Sequence, residues 1–242
     1  MRDDPKTLTM DAICLDSSAE DLRSGTEGLR GVLDAAQHAI GRLRAASAGP
    51  CAALGRIRGT GRGVSFSRLV ARLEADRPIE LRFPFEGSLH VGGAVWRGDQ
   101  LVDPSRSDAL AKLHWKAGAR DLPMHAHEHS DRFIIVLAGR GYFHVTDEPL
   151  DDFTGTAVRT IPARERDVFA FTRGVVHTFS TAEHGLTLLS CQLPFLPFED
   201  PRQYTLPEIL WTAMAHPTDA DARVAFDPHW QVLCSQQPAV TP

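Results

Sequence analysis

The chain has 242 residues, enough for one large domain, or one domain with an appendage, and for a sizeable core. Against 31 acidic side chains it carries 26 Lys and Arg, a mildly acidic balance with no overall attraction to nucleic acid or anionic membrane. Its four cysteines, Cys14, Cys51, Cys191 and Cys234, are scattered without a CxxC pair, which argues against a disulfide framework and against a thiolate zinc site.

The opening stretch, MRDDPKTLTMDAICLDSSAED, lacks the apolar core of a signal peptide. No run of ~18 apolar residues is present that would span a bilayer, so a cytoplasmic setting without membrane contact is expected. A helix is predicted from about Ser18 to Ser47. Ser17 or Ser18 can cap it, and Leu29, Leu33, Ala36, Ile40 and Leu43 recur at three- and four-residue spacings. Gly25, Gly28 and Gly31 weaken its first half. A break at SAGP and a Gly/Arg-rich loop, GRIRGTGRG, precede a second short helix through SFSRLVARLEA. From about Arg82 the texture changes to short β-type runs: LHVGGAVW, ALAKLHW, RFIIVLAG, GYFHVTD, AVRTIPA, DVFAFT, HTFST and LTLLSCQL. Short strands at this spacing predict an all-β barrel or sandwich. The tail is proline-rich, with one helical patch near LPEILWTAMA. The expected division is a helical extension over 1–84, a β domain over 85–200, and a tail over 201–242 packed on it.

The chemistry-bearing stretch is PMHAHEHSDRFIIVLAG, Pro123 to Gly139. Residues two apart on a strand share a face, so His125 and His127 can present ring nitrogens to one ion. Imidazole suits Zn, Fe, Cu and Ni, so the pair does not choose among them. The bland alternative is a polar loop with surface histidines. His129 extends the alternation and is expected on the loop. His144, in GYFHV, is a candidate substrate contact if its strand turns it into the cavity, and Gln192 and Phe171 are candidates by alternation.

Two motifs carry a family resemblance. The first is GARDLPMHAHEHSDRFIIVLAG, and the second, about fifty residues on, is TRGVVH. In this order, with strands between them, they resemble the cupin family. Thr172 stands where that family usually has proline in its P-x-G-x-x-H motif. The resemblance covers roughly Leu89 to Leu193 and implies a mainly β fold, a cupin (double-stranded β-helix, jelly-roll) barrel behind an N-terminal helical extension. It also implies that His125, His127 and His177 are metal ligands. By the family's longer spacing the acidic ligand falls on position 132, where this chain has Arg132, with Asp131 one place earlier. Asp131 completes the site if a bulge swings it inward. Alternatively Arg132 points in and awaits an anionic substrate group, or its charge abolishes metal binding. Carboxylate completes the commoner site, so Asp131 is the expected fourth ligand and Arg132 the expected substrate contact.

The resemblance implies one divalent ion, Fe(II) first, with Zn, Mn, Ni or Cu as other choices. Cysteine dioxygenase-like cupins lack the acid too and bind iron through three histidines. The leading expectation is therefore a mononuclear non-heme iron dioxygenase acting on a small, anionic molecule. A cupin isomerase, lyase or hydrolase is also compatible. No residue is singled out as catalytic. The rival class is a non-catalytic cupin that binds a small ligand and signals through its N-terminal helices. Between Arg42 and Arg72 lie seven arginines and no acid, a basic stretch that could meet nucleic acid. The long Gly-rich spacing between the helices does not match a helix-turn-helix, and an arm packed on the barrel or on a partner is preferred. A homodimer is expected, because single-domain cupins commonly associate through their sheets.

Overall fold

The structure is a computed structural model that describes residues 25–56, 81–86, 90–97 and 107–215. Helix α1 runs Gly25–Ala46, and eight strands follow: β1 Ala52–Arg56, β2 Val91–Arg97, β3 Ala109–Trp115, β4 Asp131–Val145, β5 Arg159–Arg164, β6 Asp167–Phe171, β7 His177–Ser180 and β8 Leu186–Leu193. They form a mainly β, antiparallel assembly in the order β1-β6-β4-β8-β3-β2, with β5 and β7 also pairing with β4. The second predicted helix, Cys14, Cys234 and most of the basic stretch beyond Arg56 lie outside the described residues. No helix among the described residues is long and apolar enough to cross a membrane.

Strand β4 is the spine. RFIIVLAG and GYFHV, predicted as two strands, are one strand of 15 residues. Its first half pairs with β6 and β8, its second with β5 and β7. A β-bulge interrupts the ladder to β8 between Val136 and Ala138. Side chains alternate along a strand, so one extra residue exchanges the two faces. Before the bulge Ile134 and Val136 join the inner core with Phe169, Phe171 and Leu188, while Phe133, Ile135 and Leu137 face outward. After it the odd residues Phe143 and Val145 are the inward ones. Gly139 follows at φ +81°, where a Cβ would lie 2.0 Å from the Gly185 carbonyl oxygen, so a side chain has no room there.

The outward residues of β4 are buried because α1 lies over them. Val32, Leu33, Ala36, Ala39, Ile40 and Leu43 form the helix's apolar stripe and pack on Phe133, Ile135, Leu137, Val168, Ala170, Leu189 and Cys191. Three glycines in its first half weaken α1, so packing holds it in place. Each leucine buried this way contributes about 1.5–3 kcal/mol.

Two elements differ from expectation. Ala52–Arg56 forms an edge strand paired with β6, where a loop was predicted from Gly55 onward. The stretch LPEILWTAMA is not helical: extended backbone bridges Thr205 to Ala126 and Thr212 to Pro123. Trp211 is buried there, and its carbonyl accepts the Met124 N–H at 2.9 Å. Strand-like pairing satisfies this backbone and buries the indole, which outweighs the local helical pattern.

Candidate functional site

Backbone pairing assembles the site. His125 and His177 form an antiparallel bridge, His125 N–H to His177 O at 3.0 Å and the reverse at 2.9 Å. His127 is tied to the same loop, its carbonyl accepting the Gly174 N–H at 3.1 Å. Gly174, at φ +80°, makes the turn that the second motif needs. The ring centroids of the three histidines lie 4.7–5.2 Å apart, and one ligating atom from each lies within 4.8 Å of the others. All three are buried.

Their tautomers are set from behind. Nδ1 of His125 meets the Pro123 carbonyl at 3.0 Å, Nδ1 of His127 the Gln203 carbonyl at 2.7 Å, and Nδ1 of His177 the Val175 carbonyl at 2.9 Å. A carbonyl accepts only, so each Nδ1 carries the proton and each Nε2 keeps its lone pair. Burial drives the pKa of His125 to about 4 and holds His127 and His177 well below the ordinary value, and the Arg132 charge adds to all three effects. At neutral pH these are neutral imidazoles, the form that binds a metal. The residues present therefore fit a metal ion, and the group is able to hold one.

Asp131 does not join them. Its pairing with Leu193, and that of Arg132 with Gln192, is regular, so no bulge turns the carboxylate inward. Asp131 instead faces α1, pairs with Arg44 and Arg173, and accepts the Arg173 N–H at 2.9 Å. Arg132 takes the inward position and lines the cavity beside the three histidines. Its guanidinium donates to Ser130 Oγ, to the Asp131 carbonyl at 3.2 Å and to Gln203 Oε1 at 2.9 Å. Among the described residues no carboxylate pairs with it. Burial pulls its pKa to about 10, which leaves it cationic at neutral pH. Arg132 Nη2 also lies 3.0 Å from His127 Nδ1, but both atoms are donors, so the shorter carbonyl contact fixes the tautomer. An Asp131→Ala variant should retain the metal content of the parent. It should lose about 1–3 kcal/mol in denaturant unfolding, because the part-buried Arg173 N–H loses its acceptor.

His144 lies elsewhere. Past the bulge it faces outward, its Nδ1 2.9 Å from Thr160 Oγ1, its Nε2 2.7 Å from Ser180 Oγ and its ring against Trp211. It does not line the three-histidine cavity, which corrects its assignment as a substrate contact. Gln192 does line it, and accepts from Gln203 Nε2 at 3.0 Å. Phe171 packs against His177, the rings tilted by 50° with centroids 4.1 Å apart, and His129 is exposed. Sequence reasoning missed Gln203 and Tyr204, which come from the tail. Tyr204 lies 5.5 and 5.2 Å from the His125 and His127 rings, and burial holds its phenol well above its ordinary pKa. No local pattern marks either residue. The signal available was only that the tail wraps the barrel.

The cavity has a volume of about 30 Å³, room for very few ligand atoms without rearrangement. Its polar groups, the three histidines with Arg132, Ser190, Gln192 and Tyr204, sit among aromatic and aliphatic walls that include Phe85, Trp115, Phe179 and Leu188.

A family model described as a cupin domain matches residues 111–189, from within β3 to within β8, the span that holds all three histidines. Similar solved structures include a mutant of Bacillus subtilis oxalate decarboxylase, 15% identical with a TM-score of 0.37, the match covering 50% of this chain and 29% of that one. Vicilin from Corylus avellana (hazelnut) is 12% identical with a TM-score of 0.38, over 49% of this chain and 31% of that one. A cupin-like protein from Thermotoga maritima is 19% identical with a TM-score of 0.33, over 43% of this chain and 68% of that one. The chain thus spans under a third of the length of the decarboxylase and of vicilin. No curated protein matches the sequence. The family model lies on the strands that carry the paired motifs, so residues 111–189 of this chain match a cupin domain.

Proposed function

We propose that this protein is a metal-dependent enzyme for a small anionic molecule, with iron(II) held by His125, His127 and His177 and a dioxygenase reaction. The observation that carries the reading is the convergence of three neutral imidazoles, each held through Nδ1 by a backbone carbonyl, beside a buried arginine with no carboxylate partner among the described residues. Iron(II) bound by these three imidazoles would supply Lewis acidity and one-electron chemistry.

The protein's own part follows from the geometry. Ser130 and Gln203 hold the Arg132 guanidinium in the cavity, where a substrate carboxylate gains charge-assisted hydrogen bonds. A buried cation is costly, and no carboxylate among the described residues pairs with this one, so an anionic ligand offsets an existing penalty. Tyr204 keeps its phenolic proton at neutral pH and stays a donor at the cavity wall. Phe85, Phe179 and Leu188 give the cavity apolar walls that limit water in it, which strengthens its polar contacts.

Metal analysis of the purified protein should find one ion per chain, and the double variant His125→Ala/His177→Ala should fall to background while remaining folded. Full retention in that variant rejects the metal assignment. Oxygen uptake by the iron-loaded protein with a panel of small carboxylic acids tests the reaction. Turnover of such acids without oxygen uptake would reject the dioxygenase reading and favour an isomerase, lyase or hydrolase.

A further inference from the structure

Uncharged atoms alone hold Arg132 in the cavity. A guanidinium carries five N–H groups, and three of them are taken: Nη1 donates to Ser130 Oγ and to the Asp131 carbonyl, Nη2 to Gln203 Oε1. Among the described residues its Nε–H finds no acceptor. None of the described residues that line the cavity is acidic.

Gln203 is the partner whose chemistry decides this. It is 0% exposed and closes the short 3₁₀ turn Pro201–Gln203, which Asp200 caps by accepting the Arg202 N–H. The orientation of its side-chain amide is forced. Nε2 donates to Gln192 Oε1 at 3.0 Å and to the Leu196 carbonyl at 2.9 Å, which leaves Oε1 for Arg132 at 2.9 Å. A flipped amide would set its NH2 against the guanidinium, donor against donor, and strip the Leu196 carbonyl of its partner. A glutamate has the same length, and at this position its carboxylate would pair with Arg132 and cancel the charge.

We propose that Gln203 is a specificity-determining residue: its neutral amide fixes the guanidinium without neutralising it, and so reserves Arg132 for a monoanion of about two or three non-hydrogen atoms. The inference rests on the reading of Arg132 as the anion's partner and deepens it. The size follows from the cavity of about 30 Å³, because an occupant the size of one water takes about 10–15 Å³. Longer acids enter only if a wall moves.

Formate, the smallest carboxylate, and formamide, its uncharged counterpart of equal size, separate charge from fit. In calorimetry on the protein as purified, formate should bind about tenfold more tightly than formamide, the scale of a hydrogen bond to a charged group. Gln203→Glu should erase that preference, because carboxylate and guanidinium then pair within the protein. Gln203→Met removes the same amide without adding charge and should keep the preference. Metal content should match the parent in both, since the contact to His127 is made by the main-chain carbonyl at position 203. A merely structural role would weaken formate and formamide alike in both variants and leave their ratio unchanged. A preference that survives Gln203→Glu, or that vanishes equally in Gln203→Met, overturns this proposal alone. Should Gln203→Glu not fold, Ser130→Asp brings a carboxylate to the same guanidinium from its Nη1 side, and a preference retained there overturns the proposal too. No binding of formate, equal binding of formate and formamide by the wild type, or a preference unchanged in Arg132→Gln overturns the reading of Arg132 and this proposal with it.

Discussion

Between pH 6.5 and pH 4 the metal-free protein should lose much of its stability. Four buried histidines are responsible: His125, His127, His144 and His177. Burial is the main cause of the depression of each, and it takes His125 and His144 to about 4. Their unfolded value is about 6.5, so across this window the unfolded chain binds more protons than the folded one. Stability is then fully present above pH 6.5 and falls as the pH drops toward the folded values. His144 alone, neutral between Thr160 and Ser180, accounts for about 3 kcal/mol at 1.36 kcal/mol per pKa unit. The three site histidines add to this in the same direction. Since whole domains are stable by about 5–15 kcal/mol, acid unfolding within this window is the expected result. Urea midpoints at pH 7, 5.5 and 4.5 measure it, and His144→Gln should take up about one proton fewer on unfolding. A midpoint that stays level across the window would contradict neutral burial.

Truncating Phe143 should cost about 3–5 kcal/mol, the range for a fully buried phenylalanine replaced by alanine. Its ring is 0% exposed and sits among Phe169, Phe179 and Phe171, at centroid distances of 4.6, 4.8 and 5.8 Å. It also lies 6.0 Å from the His177 ring, against which Phe171 packs. A cavity there removes the support that holds His177 in register with His125. Phe143→Ala should therefore weaken metal binding as well as the fold, whereas Leu43→Ala, on the far side of the sheet, should weaken only the fold. Denaturant unfolding and metal titration of the two variants separate these effects. Unchanged metal affinity in a folded Phe143→Ala protein would show that the histidines are positioned by their backbone pairing alone.

Much of this arrangement is legible in the residues, and what is not has identifiable causes. The runs from Ala109 to Leu193 announce themselves because alternation and turn residues are local properties. The histidine pair and TRGVVH are visible for the same reason. Which of Asp131 and Arg132 faces the cavity is not local. It follows from β4's register against β8, and Asp131 is claimed by Arg44, which lies 87 residues away. The orientation of His144 depends on the bulge near Val136, which no residue type there advertises. Strand β1, AALGR, has no β-branched residue, and only its pairing with β6 makes it a strand. The tail is misread because LPEILWTAMA has a helical pattern, yet its backbone is used to pair with Pro123 and its tryptophan to cover His144.

The seat of helix α1 has a consequence for synthesis. The surface that receives its apolar stripe is built from β4, β6 and β8, the last of which ends at Leu193. During translation Leu33 and Leu43 leave the ribosome well before that surface exists. At about 5–20 residues per second the wait is on the order of ten seconds. Strand β1 waits as well, since its partner β6 lies more than a hundred residues downstream. These two elements, made before the strands that receive them, are thus among the last to dock, and distant pairings of this kind slow folding. A nascent chain with an uncovered amphipathic helix is a natural client for chaperones that hold apolar segments, and expression at lower temperature with such chaperones in excess should raise the yield of folded protein.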